Sequence, residues 1–320
     1  MTVDGTSPSR SIAAWRVRRR AESTDDSFER SIISFQDRKS TRVRWVVGGG
    51  GALILLILAV ISVGPVLWLF KAATSTSLET IAEPFALWPS GLHWDNFAEA
   101  FRRVRFGTYM ANTFWVCLGS WFFGMLVATT GGYGLAILRP RYAKPISAMI
   151  LATLFIPGVV TLVALYLTVI DLPVPFGRVN LLNTYWAVWL PASASAFNVL
   201  LVQRSFAALP MAIFDAARID GAGPFRVFWS LVLPMSRPIL GVISLLTLVA
   251  AYKDFLWPLL ALPSSDMWPI SVALPRLEGA TELSVYMAAL FMALVIPVVL
   301  FLVFQKQFLS AAGSAGAIKE

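Results

Sequence analysis

The residues able to do chemistry in this chain are few and fall in three places. Cys117 and His93 are the only members of their types, so no intrachain disulfide can form. A zinc site takes about four thiolate or imidazole ligands in one place, so none is expected here. Lys253 and Asp254 stand side by side in a run from 238 to 260 that is otherwise uncharged. A third set, Asp215, Ala216, Ala217, Asp220 and Gly221, joins carboxylates to small residues, which keeps one surface thin and charged. No Gly-x4-Gly-Lys-Ser/Thr phosphate loop occurs in the sequence, so this chain is expected to bind no nucleotide and no other cofactor.

The elements that must hold these groups follow from composition. Apolar residues make up 57% of the 320 and charged residues 14%, against about 45–50% and about 25% in soluble chains. Disorder, a collagen-like fibre and a nucleic-acid-binding domain all fit that balance poorly. The expected setting is a lipid bilayer.

A span needs about 20 apolar residues at 1.5 Å each to cross about 30 Å of hydrocarbon. Six runs pass that test, at 45–70, 109–138, 146–170, 185–202, 238–260 and 285–304. The first follows a polar stretch too long and too acidic for a signal peptide, so it is expected to stay attached. Residues 1–44 read as a basic cytoplasmic tail, largely disordered to about residue 40. Residues 45–304 form the membrane domain and 305–320 a short tail. Of the 26 Lys and Arg, 19 fall on the side of the termini, 6 on the other and Lys253 within a span. The termini are therefore expected in the cytoplasm. In the first outer loop, FAEAFRRV reads as a short helix, and Trp88 and Trp94 suit an interface.

A charge at mid-bilayer costs roughly 2.5–3.5 kcal/mol on insertion scales, so Lys253 and Asp254 are expected to face protein or water. The pair lies about 23 Å along the fifth helix from Pro238, roughly three quarters of the way across. Lining a polar route and outward snorkelling of Lys253 both stay open. Trp257, just beyond, reads as an interface anchor. Glycines 131, 132 and 134 suit close helix crossings, while Gly48 to Gly51 suit either such a contact or a flexible start to the first helix.

Most loops on one side of a bundle are short, so the 35 residues of 203–237 need a reason. Pro210 can open a helix through MAIFDAARID, Gly221 can end it in the left-handed conformation, and Pro224 can open a second helix, FRVFWSLVL, that stops before Pro234. Phe214 and Ile219 would offer apolar anchors to a partner's groove. An amphipathic helix resting on the bilayer accounts for the same spacing.

At this point the residues carry a resemblance. The string DAARIDGAGPFRVFWSLVLP is similar to the signature loop of ABC-importer permeases: Glu-Ala-Ala, three residues on Gly, nine more on Ile-x-Leu-Pro. Asp215, Ala216, Ala217, Gly221, Leu231, Leu233 and Pro234 fall in register, with Asp for Glu and Leu for Ile. LFIPGVVTLVALYL, NLLNTYWAVWLP, DFLWPLLAL and the terminal GAIKE resemble segments of the carbohydrate branch, of the maltose-transporter type. The resemblance covers about residues 45–320.

It implies an all-α membrane protein with the type I ABC importer permease fold and six transmembrane helices. It further implies a second homologous permease subunit, two ATPase subunits that use ATP and Mg, and an extracytoplasmic solute-binding protein. Loop 203–237 would be the ATPase-coupling element, and the solute a sugar or, as in some relatives, a glycerol phosphate. The rival from another class is an intramembrane enzyme. No His lies in a span and Asp254 is the only carboxylate in one, which argues against it.

Removing residues 1–40 while keeping Arg42 and Arg44 is expected to leave insertion and transport intact, because the segment has too few apolar groups to order itself. Loss of uptake by a correctly inserted, normally abundant truncated protein would assign the tail a function.

Overall fold

The computed structural model describes residues 41–175 and 177–317. It divides into two bodies, 1–67 and 68–320, and the tail expected before residue 41 lies outside the described residues. The described part of the first body is a stretch of one helix, α1 (Thr41–Thr74). That helix begins earlier than expected and takes in Arg42 and Arg44. Leu53, Leu55, Leu58 and Ile61 are all exposed, so the helix is apolar all round, as a lipid-facing span must be. Gly48 to Gly51 lie inside continuous helix, and a Cβ on any of them would meet no atom within 4 Å. The flexible start is not found there.

The second body is almost wholly helical. After α2 (Ser77–Ala82) and α3 (Asp95–Arg103), the long helix α4 (Phe106–Tyr133) continues through a π turn to Leu138. Then come α5 (Ala143–Thr153), α6 (Gly158–Ile170), a hairpin of β1 (Leu172–Val174) and β2 (Gly177–Val179), α7 (Trp186–Ser193) and α8 (Ala196–Ala207). The chain goes on through α9 (Met211–Ile219), α10 (Pro224–Met235), α11 (Arg237–Lys253), α12 (Leu256–Ala261), α13 (Ile270–Leu277) and α14 (Leu283–Ala317). The short helix expected from FAEAFRRV is α3, and the exposed Trp88 and Trp94 flank it. The final tail is not separate from the last helix, which runs on to Ala317.

Three of the expected spans are single helices long and apolar enough to cross a bilayer: Gly48–Thr74, Phe106–Leu138 and Leu283–Gln305. The other three are broken. α5 and α6 meet at 107° and α7 and α8 at 43°. The helix expected over 238–260 ends at Lys253, and it is bent by 80° from α10 before it. The first break follows from Pro157, which takes an extended conformation as the N-cap of α6. Proline lacks an amide donor and disfavours helix in the residue before it. A hydropathy window averages over such a residue and sees one run.

α4 is the central strut, packed against α7, α8, α11 and α13. Close approach is bought with glycine. The Trp189 indole lies across Gly119, where a Cβ would fall 2.1 Å from Trp189 Cε2, and Val202 lies against Gly132, where the gap would be 2.6 Å. Of the three glycines expected at a crossing, Gly132 is the one that needs to be glycine. Gly131 has room for a methyl group, and Gly134 has no neighbour within 4 Å. Tyr252 on α11 donates to the Ala293 carbonyl of α14 at 2.6 Å, tying those helices together. Trp257, expected at the interface, is instead buried at 7% exposure and donates to the Ala187 carbonyl at 2.9 Å. The Ala187 carbonyl lies in the first turn of α7, and Pro191 four residues on has no amide to donate to it, so the indole N–H takes that place.

Gly132→Ala is expected to destabilise the detergent-solubilised protein by about 1–3 kcal/mol, since α8 must shift to admit the methyl group. Gly134→Ala is the matched control, with no neighbour to displace. Equal thermal midpoints for the two variants would refute this account of the α4 and α8 crossing.

Candidate functional site

Two places gather the residues that sequence reading singled out, and α11 separates them by about 24 Å at 1.5 Å per residue.

The first is the loop formed by α9 and α10. Pro210 caps the start of α9 in an extended conformation, and Asp220 ends the helix. Gly221 follows at φ +73°, as its position required. The Ala222 amide then donates to the Ala217 carbonyl at 2.9 Å and the Gly221 amide to the Arg218 carbonyl at 3.1 Å. This pair of bonds is the Schellman closure, which satisfies the last carbonyls of a helix through a left-handed residue. Pro224 opens α10, and the helix does not stop before Pro234 as expected. A π turn over Phe228–Val232 carries it to Met235. Widening the turn relieves the clash of the Pro234 ring with the carbonyl of residue 230.

The loop is braced from behind. Tyr133 at the end of α4 donates its hydroxyl to the Pro224 carbonyl at 2.8 Å, and its ring packs on Phe228 at 5.0 Å between centroids. Phe214, Ala217, Phe228 and Val232 are buried in the same cluster, with Leu231 and Leu233 packed against it. Several expected contact residues are therefore structural. Phe214 is an anchor into this chain's own core and not into a partner, Ala217 faces inward, and Leu231 and Leu233 hold α10 down. Asp215, Ala216, Asp220, Gly221 and Pro234 remain exposed, as do Ile219, Phe225 and Trp229. Phe225 and Trp229 lie edge to face at 6.2 Å, an outer apolar pair that the loop's spacing alone did not reveal. Asp215 is bridged to Arg218 at 3.2 Å, both solvent-exposed, a pair worth little to stability.

The second place is the break after α11. Asp254 leaves the helix in an extended conformation, its carbonyl accepting from Ser271 Oγ at 2.7 Å. Lys253 and Asp254 border an open cavity of about 830 Å³ between α4, α8 and α11. Neither forms an ion pair within 4.0 Å among the described residues. Sequence reading missed the rest of the polar lining: Ser120, Ser195, Asn198 and Thr247. Asn198 Nδ2 donates to Thr247 Oγ1 at 3.0 Å, and the buried Ser120 hydroxyl has no partner among the described residues. The available signal was an amide within an apolar run, since such groups seldom face lipid.

The family described as binding-protein-dependent transport system inner membrane component matches residues 106–309. The chain belongs to this family. It is a permease component of a binding-protein-dependent ABC importer, a membrane transporter subunit and not an enzyme.

Similar permeases cover more than four fifths of the chain. The arabinooligosaccharides transport system permease protein AraQ of Halalkalibacterium halodurans is 29% identical over 287 residues, 88% of this chain and 99% of AraQ. The lactose transport system permease protein LacG of Rhizobium radiobacter is 26% identical, over 83% of this chain and 94% of LacG. The sn-glycerol-3-phosphate transport system permease protein UgpE of Rhizobium meliloti is 28% identical, over 81% and 93%. Among solved structures, a bacterial ABC transporter involved in import of the acidic polysaccharide alginate superposes with a TM-score of 0.74 at 20% identity, covering 83% of this permease and 98% of that chain. This likeness establishes the fold as that of ABC-importer permeases. A second structure, of an alginate ABC transporter in complex with an alginate pentasaccharide-bound periplasmic protein, aligns with a TM-score of 0.61 at 16% identity.

Proposed function

We propose that this permease is one half of the pore of an ATP-driven sugar importer in a bacterial cell membrane, and that the α9 turn transmits the ATPase stroke. The observation that carries this reading is the braced, exposed turn at Gly221. A lever must present a contact surface to its partner and pass force to the spans without yielding. Asp215, Ala216, Asp220, Ile219 and Phe225 supply the surface, and the Tyr133 bond and ring contact to α10 supply the rigid link to α4.

In this reading each bent helix pair counts as one span, six in all, within the type I importer fold. Both termini lie in the cytoplasm, on the side holding 19 of the 26 basic residues. A second permease completes the pore, two ATPase subunits hold ATP and Mg, and an extracytoplasmic binding protein delivers the solute. Closure of the ATPases moves α9, α4 follows through Tyr133, and the cavity at Lys253 and Asp254 opens outward. Hydrolysis resets it.

The polar lining supports a hydroxylated solute. Ser120, Asn198 and Thr247 offer neutral donors and acceptors, the groups that can exchange hydrogen bonds with sugar hydroxyls without demanding charge. The names of AraQ and LacG point the same way. A glycerol phosphate is the second reading, favoured by the unpaired Lys253 on the cavity and by the UgpE relatives.

Replacing Asp254 with Leu is expected to lower uptake while assembly and ATPase retention persist, since Leu removes the charge and suits the bilayer. Unchanged uptake would leave Asp254 a structural residue.

Gly221→Val tests the lever. Positive φ costs a side chain about 1–2 kcal/mol, and more when it is β-branched. Among the described residues nothing lies within 4 Å of a Cβ there, so any added bulk is felt by whatever docks on the turn. The variant should insert normally yet fail to retain the ATPase, or fail to couple hydrolysis to uptake. ATPase stoichiometry, turnover with loaded binding protein and vesicle uptake that all equal those of the unmodified complex would remove the turn from the coupling path.

A further inference from the structure

α1 leads directly into a loop that the transport reading does not use. From Trp45 to Phe70 the helix carries no charge and Lys71 is the first, so the apolar part of the span ends there. The chain leaves the helix at Thr74, and the His93 amide donates back to the Thr74 carbonyl at 2.9 Å, closing 75–92 into a loop with a narrow neck. Within it α2 rests on the start of α14, where Ser77 Oγ accepts the Ser284 amide at 3.1 Å. The other face of α2 is bare, with Leu78 and Ile81 exposed at 78% and 68%.

The loop does not stand up from the end of α1 but folds back along it. Lys71 Nζ donates to the Glu83 carbonyl at 2.8 Å, and Trp68 Nε1 donates to the Pro84 carbonyl at 2.8 Å. Trp68 precedes Thr74 by about 9 Å along the helix axis at 1.5 Å per residue, on the apolar side of Lys71. In water these two carbonyls would need no such partners, whereas at membrane depth they do. Pro84 and Pro89 remove two amide donors from the same segment. After Glu83 no charged residue occurs until Asp95. The returning segment presents Phe85, Leu87 and Trp88, exposed at 94%, 95% and 68%, and the first two are the most exposed large apolar side chains among the described residues.

Tryptophan gathers at the same level. The exposed Trp94 packs its ring on Phe70 at 6.2 Å between centroids, so Trp68 and Trp94 both sit beside residues 68–70 of α1, and Trp88 is carried on the loop between them. Membrane–water boundaries select this residue, whose ring is apolar and whose N–H is not. A docking face for a soluble partner would project beyond Thr74, away from the hydrocarbon. A loop pinned back to Trp68 turns its apolar groups toward the boundary of the bilayer that α1 is built to cross. We propose that 78–88 is a membrane anchor, which inserts Leu78, Ile81, Phe85, Leu87 and Trp88 into the leaflet at this end of α1. Apolar elements of this kind lie about 5–10 Å into the headgroup and acyl boundary. On the topology proposed above this is the outer leaflet, and only that assignment rests on the transport reading. Because Ser77 holds α14 while Lys71 and Trp68 hold the loop to α1, the anchored loop fixes both helix ends at one depth.

The test uses the assembled transporter in phosphatidylcholine and phosphatidylglycerol nanodiscs, with Leu87→Cys carrying a bimane label. Cys117 is buried and stays in place, and the unmodified complex treated alike supplies the blank. Phe85→Cys repeats the measurement should the first variant assemble poorly. Nitroxide-labelled phospholipid should quench the bimane at least about twofold more strongly with the nitroxide near the headgroup end of the acyl chain than near its methyl end. Iodide in the water should reach it far less than it reaches bimane-labelled glutathione. Leu55→Cys, within the uncharged run of α1, should show the reverse order of the two nitroxides. Iodide quenching as strong as that of the free label would place the loop in water and overturn the proposal, and shielding by loaded binding protein would then assign the surface to that protein. Quenching by neither agent would show that another subunit covers the loop and would overturn it equally. Uptake is not read, so each outcome stands whether or not the complex imports a sugar.

Discussion

In hydrocarbon a backbone amide or carbonyl without a partner has no water to turn to, and that constraint organises this protein around α4. Irregular segments expose peptide groups, and side chains from neighbouring helices take up several of them. Asn112 donates to the Asp266 and Trp268 carbonyls at 2.7 and 3.1 Å and accepts from the Tyr185 hydroxyl at 2.9 Å. Thr113 accepts the Ile270 amide at 2.8 Å, capping the first turn of α13. Trp189 and Trp257 donate to the Trp115 and Ala187 carbonyls. The polar residues of the apolar helices thus act as the sockets into which irregular segments plug.

The same pattern of side-chain to backbone bonds ties α4 at both of its ends. α4 is clamped at one end to the segment before α13 and at the other to the α9 and α10 loop through Tyr133. α11 leads from that loop to the cavity at Lys253 and Asp254. The break at Asp254 lets a carboxylate and an irregular backbone sit beside the cavity, the setting in which a charge at membrane depth is tolerated.

Several of these features were legible in the residues. Gly221, Pro210 and Pro224 marked the helix, turn, helix unit because glycine and proline act through their own backbone, whatever surrounds them. The positive φ of Gly221 and the extended caps at Pro210 and Gly223 follow. Lys253 and Asp254 stood out because charge is rare in such runs, and they do border a cavity. Phe214 and Ala217 were misassigned to a docking face, because helical periodicity places residues on faces without saying which face is covered.

By itself the sequence determined the apolar segments and the positions of the turns, since these depend on local composition and backbone chemistry. Only the tertiary structure decided that Gly132 and Gly119 sit at close crossings. It also decided that Trp257 is interior and that Ser120, Asn198 and Thr247 share one cavity with Lys253 and Asp254. Those outcomes depend on which helices meet and at what angle. A bend of 107° or 80° is set by how two helices pack as well as by the residues at the break, so it is invisible until both are in place.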